Sequence, residues 1–268
     1  IKVTMPKWGL SKSEYFFDKD KNIIAKGLTS IKYMSSGIAE ELYKVAHSKE
    51  YSHFIDVLYA IENTSLNSRQ LDILIKLDFF SEFGNQRELI RITELFADTF
   101  KKGHAKQINK KKIEGTPLES IVSKYAVGVT KSGVNSKNYT LLDVSSILYE
   151  AEEAIKSLNL SDLSDVVKVR NFVEVMGYVG YISGKDEDRK KLYVLDIYPL
   201  VRKKDGKQFG YSMITKSIGS GVESRFTVFN RVFDTEPVKK GDIIYLTSWS
   251  RDGQYFRMEG YRKIEDSA

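Results

Sequence analysis

The sequence predicts an α+β, multidomain chain. An all-α N-terminal domain over residues 1–100 is followed by a basic linker with short helices over 101–167. A small five-stranded β-barrel occupies 168–268. Three observations lead to this reading. Apolar residues recur at helical spacing from Ile31 to Phe100, the period falls to two after Phe172, and the stretch between keeps neither pattern.

Bulk properties narrow the class. At 268 residues the chain is long enough for two domains, and its 41% hydrophobic and 29% charged content is that of a globular protein. No apolar run approaches the ~18 residues needed to span a membrane, so no membrane partner is expected. The absence of cysteine excludes disulfides, thiolate metal sites and cysteine nucleophiles, and fits a reducing cytoplasm. The chain begins at Ile1 with neither an initiator methionine nor a signal-peptide pattern, and reads as a piece of a longer protein or a processed form. Its net charge of +6 is uneven. Residues 168–268 hold 19 Lys+Arg against 14 Asp+Glu, or +5, and residues 1–167 hold 23 against 22, or +1. Lys101, Lys102, Lys106, Lys110, Lys111 and Lys112 form an acid-free run that is either a solvated linker face or a source of salt-dependent attraction to DNA.

The first twenty residues read as extended, with Pro6, a turn at Trp8-Gly9-Leu10-Ser11 and a short Tyr15-Phe16-Phe17 run. Helical faces follow at Phe54, Val57, Leu58 and Ile61, then at Leu71, Leu74, Ile75 and Phe79, then at Leu89, Ile92, Leu95 and Phe96. Ser52 is the expected N-cap of the first of these, and Asn67 or Ser68 of the second. Gly115-Thr116-Pro117 breaks the chain, after which helices are expected near 118–125 and 143–157. Alternation then marks strands at Val173–Val179, Leu192–Val201, Arg225–Phe233, Ile243–Trp249 and Tyr255–Tyr261. Turn-like breaks separate them at Gly184-Lys185-Asp186, Lys204-Asp205-Gly206, Gly219-Ser220-Gly221 and Arg251-Asp252-Gly253. The closing strand, Asp252-Gly253 turn and strand is how oligonucleotide-binding barrels commonly finish. Such barrels hold single strands on the face of strands two and three and on the one–two and four–five loops.

Two stretches carry binding chemistry. Ile31 and Met34 lead into a Ser35-Ser36-Gly37 bend, and a second apolar series begins at Ile38, Leu42 and Val45. Two short helices joined by a small-residue turn would present unpaired N–H groups of Ser36, Gly37 and Ile38 to a phosphate, with Lys32 and Lys44 nearby. The alternative is an ordinary helix-turn-helix core element. In the barrel, Phe226 and Val228 are assigned to the core, which leaves Arg225, Thr227 and Phe229 on the other face. Phe229 there either stacks a base or sits under a neighbouring loop. Lys190, Lys191, Arg202 and Lys203 flank the presumed second strand, as backbone-following cations or as edge protection. Tyr178, Tyr181, Tyr193 and Tyr198 enrich the same sheet.

Catalytic constellations are not found. His47 and His53 are six apart, a poor match to helical metal-ligand spacing, and His104 lies in the lysine run. Asp186-Glu187-Asp188 is assigned to a solvated hairpin loop. Neither G-x-x-x-x-G-K-S/T nor G-x-S-x-G occurs. No catalytic residue, metal site or cofactor is therefore expected in this chain.

Order along the first hundred residues gives a resemblance. Pro6 through Phe17 is similar to the "P-x-x-N-x-S-x-x-x-F" segment of the alpha subunit of bacterial DNA polymerase III, the C-family replicative polymerase. Ile24-Ala25-Lys26-Gly27-Leu28-Thr29-Ser30-Ile31-Lys32 resembles its "I-x-x-G-L-x-x-I-K", and the hairpin follows. Phe54 to Leu58 then stands for "F-x-s-l-x-D-F", and Asn67 to Phe80 for "N-k-r-x-l-x-x-L-I-x-x-G-A-F-D". Gly84-Asn85-Gln86-Arg87 stands for "G-x-n-R". The family hairpin carries two glycines, and here the first is Ser35. Its clamp-binding Q-x-x-L-F peptide has no clear copy, since Gln86-Arg87-Glu88-Leu89-Ile90 fits poorly. The resemblance implies a DNA-binding C-terminal portion of a replicative polymerase, with duplex backbone on the hairpin and single-stranded template on the barrel. It implies metal-binding palm aspartates upstream of Ile1, Mg2+ for the full polymerase, and a sliding clamp and other replisome subunits as partners. Two alternatives stand beside it: a stand-alone single-strand-binding replication accessory protein, and the RNA-binding part of a nucleic-acid enzyme such as a tRNA synthetase.

Overall fold

The protein is described by a computed structural model covering residues 2–20, 22–101, 104–105 and 107–265. Of the lysine run, Lys102 and Lys106 lie outside these residues, and Lys101 is described by its backbone only. The chain divides into two compact units, Ile1–Leu163 and Ser164–Ala268.

The first unit opens with a three-stranded sheet. β1 (Lys2–Thr4) lies parallel to β3 (Ile23–Ala25), which pairs antiparallel with β2 (Phe16–Asp18). A 3-10 turn at Leu28–Ser30 precedes α1 (Ser36–Ala46). Next come α2 (Phe54–Ile61), α3 (Ser68–Lys76) and α4 (Gln86–Thr99). Helices α2 and α4 bury the apolar residues that predicted them, whereas α3 buries Leu74 and Ile75 together with Ile73, leaves Leu71 half-buried and ends before the buried Phe79. Trp8 is drawn into this core, donating its N–H to the Phe79 carbonyl at 2.9 Å and meeting the rings of Tyr51, Phe79, Phe80 and Phe83. Asn67 caps α3 through a capping box with Gln70, each side chain accepting from the other's backbone N–H.

The stretch expected as a basic linker with helices near 118–125 and 143–157 has helices at those places together with strands, and groups with the first unit as far as Leu163. A two-residue pair, β4 (Phe100–Lys101) with β5 (His104–Ala105), precedes β6 (Gln107–Asn109), α5 (Lys110–Ile113) and α6 (Pro117–Lys124). β7 (Ala126–Val129) and β8 (Asn135–Leu141) complete an antiparallel sheet ordered β6-β8-β7. α7 (Val144–Ser157) then packs on α4 through Ile147, Leu148, Ala151 and Ile155.

One contact ties α7 to the start of α2. Glu152 is fully buried, and its two oxygens accept from Phe54 N at 2.8 Å and Ile55 N at 2.9 Å. Lys156 Nζ lies 2.7 Å from the same carboxylate. The N-cap of α2 is His53, whose side chain makes no cap bond, and not Ser52 as the local sequence suggested. The capping acceptor comes from 98 residues downstream.

The second unit begins with α8 (Asp165–Met176), capped by the Ser164 side chain and ended by Gly177 at φ 78°. This helix replaces the strand expected at 173–179. Val166, Val169, Phe172 and Val175 fall on one buried face, and packing overrides the β-preference of valine. The barrel strands are β9 (Lys191–Val201), β10 (Gln208–Ser217), β11 (Glu223–Phe229), and, after the short α9 (Asn230–Phe233), β12 (Ile243–Asp252) and β13 (Tyr255–Lys263). They close in the order β10-β11-β13-β12-β9, with β11 and β13 parallel at Phe226↔Phe256 and Thr227↔Arg257. The barrel is thus mixed, five-stranded and OB-like. Leu192, Val194, Met213, Phe226, Val228, Ile244, Leu246 and Met258 fill it. Leu192–Val201 is therefore the first strand, and Gln208–Ser217, unrecognised in the sequence, is the second.

Candidate nucleic-acid interface

In the hairpin region the Ser35 side chain caps α1, its Oγ accepting from Ile38 N at 3.3 Å. Ile38 is thereby removed from the three expected phosphate donors. The N–H groups of Ser36 and Gly37 have no partner among the described residues, and both residues are exposed. A Cβ built on Gly37 would meet only the Ser35 Oγ, at 3.9 Å, so the fold has no steric need for glycine there. What precedes the bend is a single 3-10 turn in place of a first α-helix. Lys32 is exposed beside the bend. Lys44 lies in the last turn of α1, about 10 Å further along the axis than Gly37, so the two do not share a phosphate.

Sequence reasoning passed over Tyr33 and Arg69. Tyr33 has φ 67°, a left-handed conformation that costs an aromatic residue roughly 1–2 kcal/mol. Its carbonyl accepts from the buried Gln70 Nε2 at 2.7 Å, which fastens the hairpin to the start of α3. The residue is 55% exposed, and the Arg69 guanidinium lies over its ring at 4.1 Å.

Of the three lysines of the run whose side chains are described, two are engaged within the protein. Lys110 Nζ donates to Gly128 O at 2.7 Å and Asn135 Oδ1 at 3.0 Å, and Lys112 pairs with Asp98 at 3.2 Å. Lys111 is exposed.

In the barrel, Arg225, Thr227 and Phe229 do face away from the buried Phe226 and Val228. Phe229 is half-buried, 6.2 Å from Phe209, and the two rings with Asn230 and Arg231 line an open groove. The Arg257 guanidinium lies 5.8 Å from the Phe229 ring and also pairs with Asp252. Register sets Tyr198 opposite Ser212 and Ser212 opposite Thr227 along the same outer face. Tyr198 donates to Asp196 Oδ2 at 2.8 Å, a bond that holds the carboxyl below its usual range and pushes the phenol up.

The expected cations separate into two groups. Lys190 and Lys191 stand at the start of β9 and Arg202 just past its end, roughly 35 Å apart along an extended strand. Arg202 shares the Phe229 end, because Val201 pairs with Gln208 and Gly210 with Phe229. It opens an exposed basic loop with Lys203, Lys204 and Lys207. Lys191 is committed elsewhere, its Nζ 2.5 Å from Asp188 Oδ1. Of the acidic cluster expected in a solvated loop, Asp186 and Glu187 are exposed, whereas Asp188 is fully buried in a 3-10 turn. Tyr178 lies at the opposite end from Phe229, lining a cavity with Tyr193, Lys216, Glu223 and Lys240. Phe209, Arg257 and the outer side chains of the β12–β13 hairpin were not singled out in the sequence, although the two strands and their turn were. There half-exposed Trp249 meets Phe256 at 5.5 Å under the Arg251 guanidinium. Alternation in Tyr255–Tyr261 was the one available signal for Phe256 and Arg257.

Among the described residues no group of three His, Cys, Asp or Glu side chains is placed to hold a metal ion, and no helix is long and apolar enough to cross a membrane.

Comparison with known proteins agrees with the N-terminal geometry. A family model described as the helix-hairpin-helix motif matches residues 1–90. The chain is 21% identical over 162 residues to the DNA polymerase III subunit alpha of Ureaplasma parvum serovar 3, an alignment covering 57% of this chain and 17% of that subunit. The chain therefore carries a helix-hairpin-helix region and spans a small part of the length of this relative.

Proposed function

We propose that this chain is a DNA-handling portion of a replicative polymerase of the polymerase III alpha kind. The hairpin region holds duplex backbone and the barrel holds single-stranded template. The observation that carries this reading is the exposed Ser36–Gly37 pair of N–H donors at the start of α1, with a glycine the fold does not require. A bare backbone there lets a phosphate approach both donors along the favourable end of the helix dipole. Contacts of this type position DNA without reading bases, so affinity should be blind to sequence and fall with salt. Gly37→Val is expected to leave stability within about 0.5 kcal/mol of the parent, since space is open, and to weaken duplex binding roughly ten-fold. Fluorescence anisotropy with a labelled duplex checks it. A folded variant that binds like the parent would remove the hairpin from the interface.

For the barrel, the grouping of Phe229, Phe209, Arg257 and the Arg202–Lys207 loop supports a single-strand site in which a base stacks on Phe229. Phe229→Ala should cost about 1–3 kcal/mol of single-strand affinity in high salt, where charge is screened. Thermal denaturation confirms that the variant is folded. Equal affinity of variant and parent would leave only an electrostatic surface.

A further inference from the structure

Arg69 and Tyr33 are both placed against the interests of the fold. Arg69 is the second residue of α3, in the first turn, where the helix dipole disfavours a cation. It forms no ion pair among the described residues, and the neighbouring Asp72 is occupied by Lys76 at 2.8 Å. Tyr33 holds a left-handed backbone conformation that glycine or asparagine would adopt at less cost, yet the residue is 55% exposed and fills no core. Two adjacent local choices that weaken the fold, meeting at one exposed point, mark a place where sequence serves something outside it.

What they build together is specific. The Gln70 side chain fixes Tyr33 by its carbonyl at 2.7 Å, and the capping box of the same Gln70 with Asn67 fixes the start of α3. Ring and guanidinium are thus tethered to one buried residue, with the guanidinium carbon over the ring at 4.1 Å from its centroid. A guanidinium resting on an aromatic face keeps its edge N–H groups free, in the planar fork that matches two phosphate oxygens. Tyr33 is two residues before Ser35, the N-cap of the helix whose Ser36 and Gly37 donors are exposed.

We propose that Arg69, presented by Tyr33, is a second phosphate-gripping group of the hairpin region, binding the duplex backbone beside the phosphate at Ser36 and Gly37. The inference rests on the hairpin reading and extends it. The hairpin grip has one arm of backbone N–H groups and one of stacked guanidinium, so that a duplex is held at two phosphates. Gln70 and Tyr33 are positioning residues, and Arg69 makes the contact.

Three variants in the full chain test it, with duplex affinity measured across a salt series and melting temperature measured alongside. Arg69→Gln should keep or raise the melting temperature, lower duplex affinity about ten-fold, and flatten the slope of log affinity against log salt by about 0.9, the change for one phosphate contact. Arg69→Lys should restore the slope and recover only part of the affinity, because an ammonium lacks the planar fork. Tyr33→Asn should raise or preserve the melting temperature and still lower affinity several-fold, a separation that a structural role for the ring would not produce. Parent-like affinity and slope in Arg69→Gln overturn the inference. If Gly37→Val weakens binding under the same conditions, the hairpin reading survives that failure; if neither variant weakens binding, both fall.

Discussion

Glu152→Ala is expected to cost the first unit about 3–5 kcal/mol, a large share of the ~5–15 kcal/mol that holds a typical domain. The carboxylate is fully buried and is the acceptor for the first two N–H groups of α2, a helix whose own N-cap side chain makes no bond. Alanine leaves both donors buried without partners, at roughly 1–3 kcal/mol each. It also strips Lys156 of the carboxylate 2.7 Å away, although that ammonium is partly exposed and can turn to water. Glu152→Gln keeps one acceptor oxygen and should fall between. Glu153, exposed on the same helix, is the control, and its alanine variant should stay within about 0.5 kcal/mol. Urea unfolding with a shifted midpoint and an unchanged slope is the measurement. A Glu152→Ala midpoint equal to the parent's would mean that α2 does not depend on this cap.

Gly27→Ala should be nearly as damaging, at about 3 kcal/mol, for a reason unrelated to backbone angle. Gly27 has an ordinary φ of −74°. A Cβ on it would stand 2.3 Å from Ser13 O, 2.5 Å from Glu14 C and 2.7 Å from Glu14 Cα, all of them backbone atoms. Those atoms cannot swing aside as a side chain would. Leu28 N donates to Lys12 O at 2.9 Å, while Thr29 N and Oγ1 donate to Ser13 O at 3.1 and 2.8 Å. Admitting a methyl means breaking that crossing, an overpacking cost at the upper end of its usual range. Since the 3-10 turn before the hairpin starts at Leu28, duplex binding should fall together with stability. The contrast with Gly37→Val tests the proposed division, in which Gly27 serves the fold and Gly37 a ligand. A Gly27→Ala variant with parental urea midpoint would show that the crossing yields at little cost.

Local physics made much of this legible beforehand. The helices α2, α3 and α4 bury strong apolar stripes, and such stripes announce themselves at a period of 3.6. The alternation of Phe226 and Val228 with Arg225, Thr227 and Phe229 likewise placed the third barrel strand face by face. Failures came where the deciding contact was distant or the pattern diluted. β10 points Tyr211, Met213 and Thr215 inward, so its inner face lacks an aliphatic rhythm. Val173, Val175 and Val179 alternate as a strand would, while the helical face that includes Val166, Val169 and Phe172 could be chosen only by packing. The site followed the same division. The bend at Ser35–Gly37 was visible, whereas the stacking of Arg69 on Tyr33 depends on Gln70, 37 residues away. The cations grouped by sequence at Lys190, Lys191 and Arg202 were parted by the length of one strand.

The reach of Glu152 also orders events in time. Closing a loop of 98 residues costs roughly 4 kcal/mol in chain entropy beyond a constant, and nothing is returned until α7 arrives. During synthesis from the N-terminus, the helix beside the hairpin is made early and waits for its cap until nearly the whole unit has emerged. The contact is non-local, of the kind that slows a folding transition. Maturation of the hairpin region is in this sense a property of the chain out to residue 152 and beyond, although the motif itself ends by residue 90.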